Sequence, residues 1–163
     1  MAGAWIADVK SAFTQGLKGQ RTQRLFASPP AGGFPGEDDD ILIEVLAEVY
    51  GLITGPPAWR KSLFTDFKSL NFKRHPLAPC LALMYKGPKN QLSGLVLVET
   101  DDLLGGGTGD QFSEAIATLR RKYNSGKWNE LMDNSHEYGG RTLRQHQDFS
   151  FAMSMARYLK ERA

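Results

Sequence analysis

The chain of 163 residues has one cysteine, three histidines and a net charge of only +2. A lone Cys80 forms no internal disulfide and cannot anchor a cysteine-rich zinc site. The expected setting is therefore intracellular, cytoplasmic or nuclear rather than secreted. His75, His136 and His146 have no metal-ligand spacing with one another or with Cys80, which argues against zinc chemistry. No apolar run approaches the roughly 18 residues that a membrane-spanning helix needs. Residues 1–12 carry Asp8 and Lys10 within their apolar part and lack the leading basic stretch of a signal peptide. The glycines between Gly105 and Gly109 precede no Gly-Lys-Ser/Thr, so a phosphate-binding P-loop is excluded.

What remains is 41% hydrophobic and 23% charged, the composition of an ordinary folded domain. Its charges alternate in blocks. Residues 37–59 hold six acids and no base, 60–90 seven bases and one acid, and 91–109 three acids and no base. Basic surface beside a small acidic focus suits an enzyme that binds a polyanion through metal, although ordinary solvated surface gives the same counts.

Hydrophobic patterning predicts a mixed α and β chain. Trp5 to Val9 is short and apolar, as a buried strand is, with Asp8 near its end. Residues 25–40 are rich in proline and glycine and end in the acidic run Glu37 to Asp40, which marks a surface loop. Ile41 to Val49 is expected to be a strand followed by a helix. Ala58 to Leu70 places Trp59, Leu63, Phe64, Phe67 and Leu70 at helical spacing with Lys61 and Lys68 outside. Cys80 to Tyr85 and Leu92 to Val98 read as strands joined by a turn at 87–90. Leu103 and Leu104 continue the apolar pattern and are expected to stop at Gly105. Residues 110–123 form a second helix with Phe112, Ile116, Leu119 and Tyr123 on one face. Short strands follow from Lys127, then a final helix around Phe151 to Lys160.

The chemistry lies in Asp101-Asp102. Adjacent carboxylates between two apolar strands form either a solvated turn or a cation site, since a divalent ion removes their repulsion. Asp8, at the end of a different strand, is the third carboxylate that a two-metal phosphoryl-transfer site would use to hold ions roughly 4 Å apart.

These residues carry a resemblance. Asp8-Val9-Lys10-Ser11-Ala12-Phe13, with Gln15-Gly16-Leu17 following, resembles the first catalytic motif of reverse transcriptases from Ty/copia-type LTR retrotransposons. Phe26 to Gly32, with Pro29-Pro30, resembles that family's aromatic strand ending in Pro-Pro-Gly. Tyr50-Gly51-Leu52 with Pro57-Ala58-Trp59 is similar to its Tyr-Gly-Leu-Lys-Gln-Ala-Pro-Arg-Ala-Trp signature. Pro79-Cys80-Leu81 resembles Asp-Pro-Cys-Leu, with Ala78 in place of the aspartate. Asp101-Asp102-Leu103-Leu104 takes the place of the Tyr-Val-Asp-Asp-Leu-Leu box, and Tyr138-Gly139-Gly140-Arg141 that of Phe-Leu-Gly-Arg. The landmarks run in order from about Ile6 to Leu159.

The resemblance implies an α+β fold in which a polymerase palm-like antiparallel sheet carries a catalytic β-hairpin packed on helices, with the fingers region truncated because only seven residues precede Asp8. It implies a single partial reverse transcriptase domain over 1–163, with a palm core at about 5–140 and a primer-grip-like element and C-terminal helix at about 138–163. By resemblance, Asp8, Asp101 and Asp102 are the catalytic metal ligands and Phe13 and Gly51 contact the nucleotide. Tyr138, Gly139, Gly140 and Arg141 hold the primer. The implied cofactor is Mg²⁺, with Mn²⁺ as its substitute. The implied partners are an RNA or DNA template with primer, deoxynucleoside triphosphates and the rest of a Pol polyprotein, and no membrane. The implied reaction is RNA-directed DNA polymerisation by two-metal nucleotidyl transfer. Lys122 and Lys127 follow the hairpin, where a polymerase can use a cation as general acid or where a surface charge serves nothing catalytic.

Departures qualify the expectation. Glu99 and Thr100 replace the aromatic and small apolar residues before the paired aspartates, Ile53-Thr54 replaces Lys-Gln, and Glu44 stands where a base is common. Each like-charge pair that Glu99 adds costs on the order of a few kcal/mol at an effective dielectric near 20 unless cations screen it. The expected protein is a degenerate or truncated copy. The alternative is a catalytically inactive remnant that binds nucleic acid nonspecifically.

Overall fold

The computed structural model describes residues 3–16, 23–36, 38, 41–156 and 159–160. Its elements in chain order are β1 (Trp5–Val9), α1 (Ala12–Gln15), β2 (Phe26–Ala27), β3 (Ile43–Glu44), α2 (Gly55–Ser69), β4 (Phe72–Arg74), β5 (Leu81–Lys86), β6 (Gln91–Glu99), β7 (Asp102–Gly107), α3 (Asp110–Lys122), β8 (Ser125–Glu130), β9 (Ser135–Tyr138), β10 (Arg141–Gln145) and β11 (Phe151–Ser154). The chain is a mixed α and β protein whose sheets pair antiparallel. It divides into two compact units, residues 12–62 and the remainder. Among the described residues no helix is long and apolar enough to cross a membrane.

The larger unit is built on a six-stranded sheet in the order β4-β5-β6-β7-β1-β8. Successive strand residues point to opposite faces, and each face carries a core. On one face lie Ala7, Val9, Ala82, Met84, Val96, Val98 and Leu103, all buried. Helix α3 lies against this face because Phe112, Ala115, Ile116 and Leu119 recur at helical spacing and are buried. Asp110 in its first turn and Arg120, Arg121 and Lys122 in its last complement the helix macrodipole. Asp66, near the end of α2, accepts a hydrogen bond from the Tyr123 hydroxyl and pairs with Lys122 at 2.6 Å. Lys122 therefore has a structural partner.

The opposite face carries Ile6, Leu97 and Leu104, which pack with Ala4, Leu131, Tyr138 and Leu143 as a second core. The three-stranded sheet β11-β10-β9 supplies two of these residues. Gln145, itself buried, accepts the Ala4 backbone N–H at 2.7 Å and so ties the first strand to the last sheet. Gln145→Leu leaves that buried N–H without its acceptor and should destabilise the fold by about 1–3 kcal/mol in urea denaturation, with an unchanged m-value.

Three expectations need correction. Ile41 to Val49 contains only the two residues of β3 and no helix. Arg24 clasps Glu44 through two bonds of 2.7 and 2.8 Å, while Leu42 and Leu46 stay exposed and form no helical stripe. The run Gly105-Gly106-Gly107 does not stop β7 but completes it, because aromatic rings lie where side chains would stand: Trp5 over Gly105 and Phe112 beside Gly107. Phe151 to Ser154 is strand β11, turned back onto β10 by Asp148, whose carboxylate accepts from the Ser150 N–H and hydroxyl at 3.0 and 2.6 Å. Within the expected C-terminal helix only Ala156, Leu159 and Lys160 are helical among the described residues. Of the acidic run at 37–40, only Asp38 lies within the described residues.

Candidate active site

Strands β6 and β7 meet at a two-residue turn, Thr100-Asp101, closed by the pair Glu99 and Asp102. Thr100 takes the turn with φ 58. On the other side of β7, Asp102 pairs with Asp8 of β1, and Asp8 pairs with Lys127 of β8. Directly opposed antiparallel residues share a face with neighbouring side chains roughly 5 Å apart. Glu99, Asp102, Asp8 and Lys127 thus form one row across four adjacent strands. Asp101 stands beside it, and its carbonyl accepts the Val9 N–H at 2.9 Å. Asp8, Asp101 and Asp102, far apart in sequence in one case and adjacent in the other, are brought to the same end of the sheet.

The β9–β10 hairpin closes on this end. Tyr138 pairs with Arg141, and Gly139 and Gly140 form its turn with φ 53 and 73. Two consecutive positive φ values are the conformation that glycine allows most readily. The Gly139 N–H donates to the Asp102 carboxylate, and a Cβ on Gly139 would stand 2.7 Å from Glu99 Oε2. Tyr138 is buried, and among the described residues its hydroxyl has no hydrogen-bond partner.

Electrostatics follow from this crowding. Partial burial, then the charges of Asp101, Asp8 and Glu99, push the Asp102 carboxyl above its ordinary range, against the Gly139 N–H. Burial and the charges of Glu99 and Asp102 push the Tyr138 hydroxyl far up, with Arg141 opposing. The donor set is all hard oxygen, the type that Mg²⁺ and Mn²⁺ select. The carboxylates diverge, however. Asp8 turns toward β8, where a Cβ on Gly126 would meet its Oδ2 at 2.7 Å, while Glu99 turns toward Gly139 on the opposite side. Among the described residues no group of three or more His, Cys, Asp or Glu side chains is placed to hold one metal ion.

Phe13 and Gly51, assigned to the nucleotide by resemblance, belong to the smaller unit. There Phe13 is buried, its ring 4.6 Å from that of Tyr50. Gly51 is an exposed turn residue with φ 94. The sequence reading missed Gly126, the Cβ-free position against the Asp8 carboxylate, and the Gly139 amide as a donor to Asp102. A Gly-Gly pair between alternating residues is a hairpin signal that locates the second of these. No family model, curated protein or solved structure matches the chain.

Proposed function

We propose that this chain is a polymerase-type nucleotidyltransferase, the reverse transcriptase domain of a copia-type retrotransposon in a degenerate or truncated copy. One observation carries the reading: Asp8 and Asp102 are cross-strand partners on β1 and β7, with Asp101 in the adjoining turn. This is the juxtaposition that three carboxylates from two sequence motifs need in order to act on one phosphate. The resemblance adds the substrate class, deoxynucleoside triphosphates on a primed RNA or DNA template, and the nucleotide-binding roles of Phe13 and Gly51.

By resemblance, Asp8, Asp101 and Asp102 would hold Mg²⁺ or Mn²⁺ once their carboxylates turn to a common point, which they do not share in this structure among the described residues. Bound there, the metal would supply Lewis-acid activation of the primer hydroxyl and charge neutralisation at the α-phosphate. The chain's own groups do the positioning. The Gly139 N–H fixes one Asp102 oxygen, and the packed Tyr138 ring holds the Gly139-Gly140 turn beside the carboxylates. Lys127, cross-strand from Asp8, and Lys10, whose side chain meets the Asp8 carboxylate at Gly126, are cations at this end of the row and offer contacts for the anionic substrate.

Primer extension on a homopolymer RNA template with Mg²⁺ tests the reading. Asp101→Asn should lower incorporation by at least about 10²-fold, the scale of removing one electrostatic group from a preorganised site. Equal incorporation by both proteins would sink the proposal. The turn of the Asp8 carboxylate toward Gly126, while Asp102 is held at the Gly139 N–H, favours the second reading, an inactive remnant that binds nucleic acid nonspecifically. That reading predicts no incorporation but primer-template binding that weakens steeply with salt.

A further inference from the structure

We propose that β11 is a self-association edge, on which two copies of this chain pair strand to strand about a two-fold axis at Ala152. No residue of the polymerase reading takes part. His146 N–H donates to the Ser150 carbonyl at 2.9 Å, and antiparallel ladders alternate between hydrogen-bonded and non-bonded pairs. Arg144 with Ala152 and Thr142 with Ser154 are therefore the bonded pairs of β10 and β11, while Gln145 with Phe151 and Leu143 with Met153 are non-bonded. Gln145 fixes the same phase: its N–H donates to the Leu131 carbonyl and its own carbonyl accepts from Asp133, both away from β11. The N–H and C=O groups of Phe151 and Met153 thus point out of the edge of the sheet, beyond which no described strand lies.

Directly opposed residues share a face, so Phe151 and Met153 lie on the face of Gln145 and Leu143, which are buried. The second core runs out along that face and ends uncovered, with Phe151 55% exposed and Met153 65% exposed. Charge is missing as well. Charged residues or proline ordinarily guard a sheet edge against pairing. The other edges of the two larger sheets have such guards: Lys73 and Arg74 on β4, Lys127 and Glu130 on β8, His136 and Glu137 on β9. No residue from Phe149 to Ala156 is charged.

A second copy is the occupant because this edge complements itself. With Ala152 opposite the partner's Ala152, the outward groups of Phe151 meet those of the partner's Met153, and the reverse. Two residues per copy then give four main-chain hydrogen bonds, an isologous contact closed by its own symmetry. Each Phe151 ring stands beside the partner's Met153 thioether, a favourable sulfur–aromatic pair, and no like charges meet at the axis. At ~200 Å² for a whole large side chain, Phe151, Met153 and the half-exposed Met155 offer roughly 300 Å² per copy. The total stays under the ~1,200 Å² of a stable complex, so the dimer is weak and depends on concentration.

Sedimentation velocity of the whole chain tests the edge. Wild type should pass from monomer to dimer between about 10 µM and 1 mM. Met153→Lys should weaken the dimer by about tenfold or more. Leu159→Lys, also at an exposed apolar side chain but outside the strand, should leave it unchanged. Cross-linking reads the register. In a Cys80→Ser background with oxidised glutathione, Ala152→Cys should give a disulfide-linked dimer, since residues opposed in a non-bonded pair stand ~4.5 Å apart at Cα. Ser154→Cys, off the axis, should give none. Ala152 is exposed, so this variant carries the test should Met153→Lys fail to fold. A chain that stays monomeric up to about 1 mM overturns the proposal and leaves the edge to a strand of another protein. A dimer that Met153→Lys leaves intact, or that Ala152→Cys does not link, overturns it equally.

Discussion

Gly107→Ala should lower stability by about 3 kcal/mol or more, whereas Gly106→Ala, one residue away in the same strand, should stay within about 1 kcal/mol of wild type. A Cβ on Gly107 would stand 2.7 Å from the Ser93 carbonyl oxygen and 2.8 Å from the Gly94 Cα, both main-chain atoms of β6. It would also stand 2.7 Å from Phe112 Cδ1 on α3. Backbone of a central strand cannot yield without breaking the β6–β7 ladder, and Phe112 cannot yield without lifting α3. Gly106 points to the other face, where the nearest atom to a Cβ is Ala4 Cα at 3.5 Å, an ordinary contact. There alanine loses nothing sterically and reduces the freedom of the unfolded chain. Thermal unfolding measures the contrast. About 3 kcal/mol corresponds to a fall of roughly 6–12 °C for a chain of this size. Equal melting temperatures for the two variants would refute the account of why three glycines sit in a strand. Gly105→Ala belongs with Gly107, because Trp5 covers it and is itself stacked on Trp128 with ring centroids 4.3 Å apart.

The same glycines mark where sequence reading fails. Composition and propensity put Gly105-Gly106-Gly107 outside a strand, because glycine alone gives up packing and loses entropy there. The compensation comes from Trp5, a hundred residues distant, and from Phe112 on the following helix, and neither is visible in a local window. Elements whose signal is self-contained were legible. Helix α3 has its apolar stripe and its terminal charges in thirteen consecutive residues. The β6–β7 hairpin has an apolar run on each side of Glu99 to Asp102. The segment Phe151 to Ser154 was misread because its apolar residues fit either period, and the turn made by Asp148 and Ser150 decides for strand. Of the carboxylate row, Asp101 and Asp102 announce themselves by adjacency. The pairing of Asp8 with Asp102 depends on strand order, which a sequence states only through resemblance.

Asp102→Asn should raise the stability of the fold while removing nucleotide incorporation, a pairing that separates a functional carboxylate from a structural one. Burial and the charges of Asp101, Asp8 and Glu99 raise the Asp102 carboxyl above 3.8, its ordinary value. A proton is then held more tightly by the folded chain than by the unfolded one. The associated stability is fully present below the unfolded value and is lost as pH rises through the folded one. Above its raised folded value the ionised Asp102 opposes folding, to an extent that partial solvent exposure moderates. An amide of the same shape removes the charge and keeps an oxygen for the Gly139 N–H. Chemical denaturation of both proteins from pH 4 to pH 8 checks the sign. The variant's advantage should grow with pH, and wild type should close the gap when millimolar Mn²⁺ neutralises the carboxylates, since a ligand of the native state stabilises by mass action. A variant less stable than wild type at pH 8 would mean that Asp102 is held by interactions stronger than its neighbours' repulsion. In primer extension the same substitution should cost at least about 10²-fold. Gain of stability with loss of activity is the signature of charge kept for chemistry at the expense of the fold.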